Sequence, residues 1–145
     1  MTAPAAASPE LALLAAVTAA LKADAGLMAI VTGVYDEVPT GKRPGVPPYV
    51  YAGPINRQRL SDSYAEAWTL RLRLYAASTG FGRRQAWTII SAVSDAIDRI
   101  EPTLAAPYAA VGEMLVIQAG DVIEDPIKTA FLDVQVIVQK DSANG

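Results

Sequence analysis

The sequence of 145 residues contains no cysteine and no histidine. The first absence excludes disulfides, thiolate nucleophiles and Cys-bearing zinc sites. The second excludes His-ligated metals, haem held by His and every His-based catalytic triad. No run of 18 or more apolar residues occurs, so no membrane-spanning helix is expected. An excess of basic charge is lacking too: 12 basic residues stand against 15 acidic ones, for a net charge of −3. Bulk nucleic-acid binding is not expected of such a chain, because those domains carry a basic face and a high pI. What is there is a chain 52% hydrophobic and 19% charged. That balance excludes disorder and permits a sizeable core, and the length makes a single domain over 1–145 the default. This inventory argues against most enzymes, and no catalytic residue, cofactor site or metal site is assigned.

The chain reads as helix, strands, helix, strands. Residues 1–7 and 140–145 read as flexible ends. The Ala-rich start lacks an early basic region and is broken by Pro9, Glu10, Lys22 and Asp24, so no signal peptide is expected and the protein reads as soluble and made inside the cell. Ser8-Pro9-Glu10 forms a helix start, with a hydroxyl cap, Pro at the first helical position and an acid at the positive end of the dipole. Leu11, Leu14, Val17, Thr18 and Leu21 recur at helical spacing, which predicts a helix over 9–23. A short helical turn is expected within 24–30, and a strand over 34–38.

Residues 39–48 hold four prolines and two glycines and form a loop with Lys42 and Arg43 at its tip. A strand over 49–52 is expected to close at Gly53-Pro54, with 56–63 a polar loop. From 67 to 76, Trp68, Leu70, Leu72 and Leu74 alternate with Thr69, Arg71, Arg73 and Tyr75, giving one buried and one basic face. Ala86, Ile89, Ile90, Val93, Ile97 and Ile100 mark a second amphipathic helix that ends at Pro102. Two strands follow over 114–123 and 129–139, the last with Ala130, Leu132, Val134, Val136 and Val138 on one face. The expected fold is α+β: a mainly antiparallel sheet of about four to five strands with two amphipathic helices on one face. The strand–helix–strand order around the second helix also allows two strands to run parallel.

The chemistry motifs fail one by one. Gly80-Phe81-Gly82 follows a strand and opens a helix, but Gln85 holds the third glycine position of a dinucleotide fingerprint, so it reads as a turn. Gly41-Lys42 lacks the earlier glycine of a phosphate loop and is followed by Arg43. Asp121, Glu124 and Asp125 cluster near a turn, yet Val122-Ile123 interrupts the alternation that a calcium loop needs. Asp36 and Glu37, adjacent in a strand, point to opposite faces and cannot share a substrate.

One feature exceeds background. Arg57, Arg59, Arg71, Arg73, Arg83 and Arg84 fall within 28 residues whose only acids are Asp62 and Glu66, leaving this segment at +4 and the rest of the chain at −7. Arg83 and Arg84 also sit in a first helical turn, where the dipole disfavours cations. A solvated face is one reading. The other is a contact with an acidic surface, such as that of an identical neighbour in a head-to-tail ring. The interface candidates are these six arginines with Lys42 and Arg43.

Val34-Tyr35-Asp36-Glu37-Val38-Pro39, a variable loop and then Pro48-Tyr49-Val50 resemble the signature of the tail completion or tail terminator family of long-tailed phages and gene transfer agents. The strand 70–75, the Gly-Arg turn with its Ala/Ile/Val-rich helix, and the closing strands joined at Asp125-Pro126 are similar to that family as well. The resemblance spans about 8–139. Its departures are the enlarged Pro/Gly loop after Val38 and the Arg71/Arg73 pair. It implies a structural virion protein that forms a homo-hexameric ring at the head-proximal end of the tail tube. There it would stop tube growth and dock the head-side connector, with DNA passing through the lumen and no sequence-specific nucleic-acid contact. The implied partners are further copies of the chain, the major tail tube protein and the head–tail connector or stopper, and the implied location is the virion, reached from the host cytoplasm. A connector or stopper of the neck is the nearest alternative; a small-ligand binding domain or metal-independent enzyme is the remote one.

Overall fold

The structure, a computed structural model, describes residues 7–39, 47–60, 66–79, 83–101, 103–124 and 127–140. The elements follow in the order α1 (Pro9–Lys22), α2 (Ala25–Met28), β1 (Val34–Tyr35), β2 (Tyr49–Arg59), β3 (Ala67–Ala77), α3 (Arg83–Arg99), β4 (Tyr108–Asp121) and β5 (Thr129–Lys140). The five strands make one sheet in the order β1-β2-β3-β5-β4. Every pairing is antiparallel except β1 with β2. The α+β reading holds. The chain leaves β3, crosses through α3 to the far edge, and returns as β5 between them, so β3 and β4 run the same way without pairing.

The local signals explain the elements. Ser8 Oγ accepts from Leu11 N at 3.1 Å, satisfying a first-turn N–H that has no helical partner. Asp24 caps α2 in the same way, accepting from Leu27 N at 2.9 Å. At the entry to α3, Gln85 Oε1 accepts from Thr79 N at 2.7 Å and Thr79 Oγ1 at 2.9 Å, so the residue that spoils the dinucleotide fingerprint ties the segment after β3 to the first turn of α3. The Gly80–Gly82 turn itself lies outside the described residues.

One face of the sheet is dry. Val50 and Ala52 of β2, Leu70, Leu72, Leu74 and Ala76 of β3, and Ala130, Leu132, Val134, Val136 and Val138 of β5 are all buried. They meet α3 through Ala86, Ile89, Ile90, Val93, Ala96 and Ile97, and α1 through Leu13, Val17 and Leu21. Helix α3 covers β3, β5 and β4, while α1 covers β1 and β2.

The structure corrects several expected boundaries. Strand β2 does not stop at Gly53-Pro54 but continues to Arg59 through a bulge between Ala52 and Ile55. Beyond Tyr51 it has β3 on one side only, so Pro54 costs no ladder hydrogen bond on the open side. Strand β4 begins at Tyr108, six residues before the expected start, and carries two bulges of its own. Strand β1 ends at Tyr35, leaving Asp36 and Glu37 beyond the pairing. In α1 the buried stripe runs through Leu13, Val17 and Leu21, while Leu11 is 53% exposed. Lys140, expected in a flexible tail, closes β5.

Candidate functional site

The face of the sheet away from the helices is open, and the register orders it into cross-strand rows. At one end Tyr51, Tyr75 and Phe131 lie side by side on β2, β3 and β5. Tyr51 stacks on Tyr75 with ring centroids 5.1 Å apart, and Tyr49 and Tyr35 extend the aromatic cluster. Burial, with the neighbouring Tyr75 and Tyr49, pushes the Tyr51 hydroxyl above its ordinary value of 10.0. A Cβ at Gly53 would collide with the Tyr75 ring, and one at Gly120 would stand 2.8 Å from Phe131 Cζ. Both glycines therefore make room for an aromatic ring from the next strand.

The middle of the face carries charge. Arg73 and Asp133 are direct partners of β3 and β5, and Arg71 and Gln135 form the adjacent pair. Arg73 donates from Nε to Asp133 Oδ1 at 2.8 Å and from Nη2 to Oδ2 at 3.0 Å. Its guanidinium also stands 4.0 Å from the Phe131 ring centroid. The Asp133 carboxylate holds Arg73 protonated well above the ordinary arginine value. Arg71 instead donates from Nε to Gln135 Oε1 at 3.0 Å. The amide is neutral, so Arg71 leaves a positive charge on an exposed surface.

Pro54, Asn56, Ile117 and Gln118 complete a cleft of about 410 Å³ around Arg71, Arg73 and Asp133. Beyond it, along β4, Val111, Leu115 and Ile117 are 44%, 50% and 43% exposed. Each oxygen of Asp133 accepts a hydrogen bond from Arg73. Among the described residues no group of three or more acidic, His or Cys side chains is placed to hold a metal ion, and no helix is long and apolar enough to cross a membrane.

The other candidate arginines do not join Arg71 and Arg73. Arg57 and Arg59 face Leu70 and Trp68 of β3, on the helix side of the sheet. Arg57 pairs with Glu10 of α1, with Nε 2.7 Å from Oε2, and stands 5.2 Å from the Trp68 ring centroid. Arg83 Nε lies 2.9 Å from Asp121 Oδ2, which Trp87 Nε1 also reaches at 3.0 Å. That acid at the end of β4 offsets the unfavourable place of a cation in the first turn of α3. Arg84 is exposed beside Ile30 and Thr88, and Lys42 and Arg43 lie outside the described residues. The basic segment is therefore three separate groups rather than one face, and Arg57, Arg73 and Arg83 have acids within their own chain. Asp133, Gln135, Glu10 and Asp121 are the partners that sequence reasoning missed, since only register and helix docking bring them near.

Residues 15–139 match the family described as Tail completion protein gp17. The chain belongs to that family. Among solved structures, a chain of the native gene transfer agent virion particle is 30% identical with a TM-score of 0.76, over 92% of this chain and 99% of that one. The bacteriophage SPP1 gp17 protein is 21% identical with a TM-score of 0.51, over 92% and 91%. At that identity it shows a shared fold alone. No curated protein matches the chain. The tail completion resemblance drawn from residues 34–39 and Pro48-Tyr49-Val50 thus holds over residues 15–139.

Proposed function

We propose that this protein forms a homo-hexameric ring on the head-proximal end of a phage or gene transfer agent tail tube, where it ends tube growth and docks the head-side connector. The observation that carries this reading is membership of the tail completion family over residues 15–139. The likeness to a virion chain over almost the full length of both chains supports it. So does the open face, whose cleft offers an exposed cation and an apolar strip instead of converging acids and bases. The protein acts as an assembly component and not as a catalyst. Its partners are further copies, the tail tube subunit and the connector.

The physical task is asymmetric. Tube rings add through one repeating heterologous contact, and growth continues until the end is capped by something with a different outer face. A terminator matches the tube below and refuses another tube ring above. Loss of this gene should therefore give tails of irregular, excessive length that fail to join heads, seen by electron microscopy of a deletion lysate. Uniform tails of normal length beside unjoined heads would overturn termination and assign the chain to the connector instead.

A further inference from the structure

Cross-strand pairs define heights along the strands. Arg57 faces Leu70, which faces Val136. On β4 that row ends at the bulge between Val111 and Leu115, whose own partners are Ile137 and Gln135. The next row runs Arg59, Trp68, Val138, Ala110. The basic end of β2 and the bulge of β4 thus stand at the same height on opposite edges of the sheet.

The β4 bulge walls a groove of about 720 Å³ against the last turns of α3. Ile97, Ile100 and Met114 contribute apolar surface, and Asp98, Glu101 and Glu113 contribute acids. Among the described residues that line it the one cation, Arg99, is paired with Asp24 of the α1–α2 junction. The groove is therefore apolar and anionic. On the opposite edge, Arg59 is exposed and has no ion-pair partner among the described residues, and half-buried Leu60 follows it.

We infer, resting on the ring reading above, that this groove receives Arg59 at the end of β2, and Leu60 after it, from the next copy. The two patches lie on opposite edges of the sheet in corresponding cross-strand rows, so the β2 edge of one copy can meet the β4 edge of the next in a contact that repeats. The patches are different and complementary in charge, which makes the contact heterologous and lets it repeat around a ring. Glu113 and Arg59 form its ionic centre, and Leu60 covers apolar surface of the groove.

The test uses the chain's lack of cysteine as a clean background. Arg59→Cys and Glu113→Cys proteins, mixed and treated with a short bismaleimide, should cross-link, whereas neither should alone. Arg59→Glu and Glu113→Arg should each lower the ring fraction in native mass spectrometry on the order of tenfold, and the double reversal should restore it. Circular dichroism reports whether each variant is folded. Rings that form normally in every reversal variant, with no cross-link, would overturn the groove contact and leave the ring reading standing. Cross-linking of Glu113→Cys alone would overturn it in favour of a two-fold edge contact. A wild-type chain that forms no ring at high concentration would overturn the ring reading, and the groove contact with it.

Discussion

Arg73 and Asp133 face each other across β3 and β5 and share two parallel hydrogen bonds of 2.8 and 3.0 Å. The geometry is bidentate and partly shielded, so it exceeds an ordinary surface pair. A double-mutant cycle on Arg73→Ala and Asp133→Ala should give a coupling on the order of 1 kcal/mol in denaturant unfolding. Zero coupling would mean that solvent screens the pair fully.

Arg71 and Arg73 should separate in assembly assays. Arg71 is exposed and bonded to a neutral amide, so Arg71→Glu should alter monomer stability by under about 0.5 kcal/mol. Arg73→Glu sets two carboxylates against each other and should destabilise the fold. If Arg71→Glu also leaves ring formation and tail attachment unchanged, the cleft around it is solvated surface.

The glycines under the aromatic rings should resist enlargement. Gly53→Ala forces the Tyr75 ring off its stack with Tyr51, and Gly120→Ala displaces Phe131 from beneath Arg73. Overpacking of this kind costs about 1–3 kcal/mol. Adding Tyr75→Ala to Gly53→Ala should recover part of the loss, read as a non-additive shift in urea midpoint. Full additivity would show that the ring is not what excludes the methyl group.

Asp24 should make stability depend on acidity. The Leu27 N–H bond, and then Arg99, lower its pKa below the ordinary 3.8. A folded-state value below the unfolded one means that the ionised form is preferred in the native state. Its contribution is present above 3.8 and lost as the pH falls through the folded value. Asp24→Asn keeps a capping acceptor and removes the charge, so its deficit against wild type should be constant near neutrality and vanish in acid. A deficit independent of pH would assign the role to hydrogen bonding alone.

In α1, Leu11 and Leu13 should behave oppositely. Leu13 is fully buried and Leu11 is 53% exposed. Leu13→Ala should cost about 2–5 kcal/mol in thermal or urea unfolding, and Leu11→Ala under about 0.5 kcal/mol. Equal losses would contradict the helix rotation.

Helix α1 shows where periodicity loses its hold: Leu11 shares the helical spacing of Val17 and Leu21 yet is exposed. Residues 11–21 of α1 are rich in Ala and Leu all round, so several stripes compete, and only docking against β1 and β2 selects the one through Leu13 and Val17. In α3, where Asp95, Asp98 and Arg99 mark a wet side, the buried stripe was legible. Strand β3 was legible too, because its apolar and polar residues alternate strictly. Strand β2 past Pro54 and the start of β4 were not, since an edge strand needs apolar residues on one side at most and tolerates proline.

The sequence by itself determined the α+β class, the central strand and the second helix, the absence of thiol and imidazole chemistry, and the tail completion resemblance. Each of these depends on residue type or on spacing of a few positions. Only the tertiary structure decided that six nearby arginines form three groups on two faces, and that Asp133, Asp121 and Glu10 compensate half of them. Strand parity turns neighbours one residue apart to opposite faces, and ion pairs join residues 38 to 60 positions apart through sheet register and helix docking. Charge counted along a chain cannot see that folding.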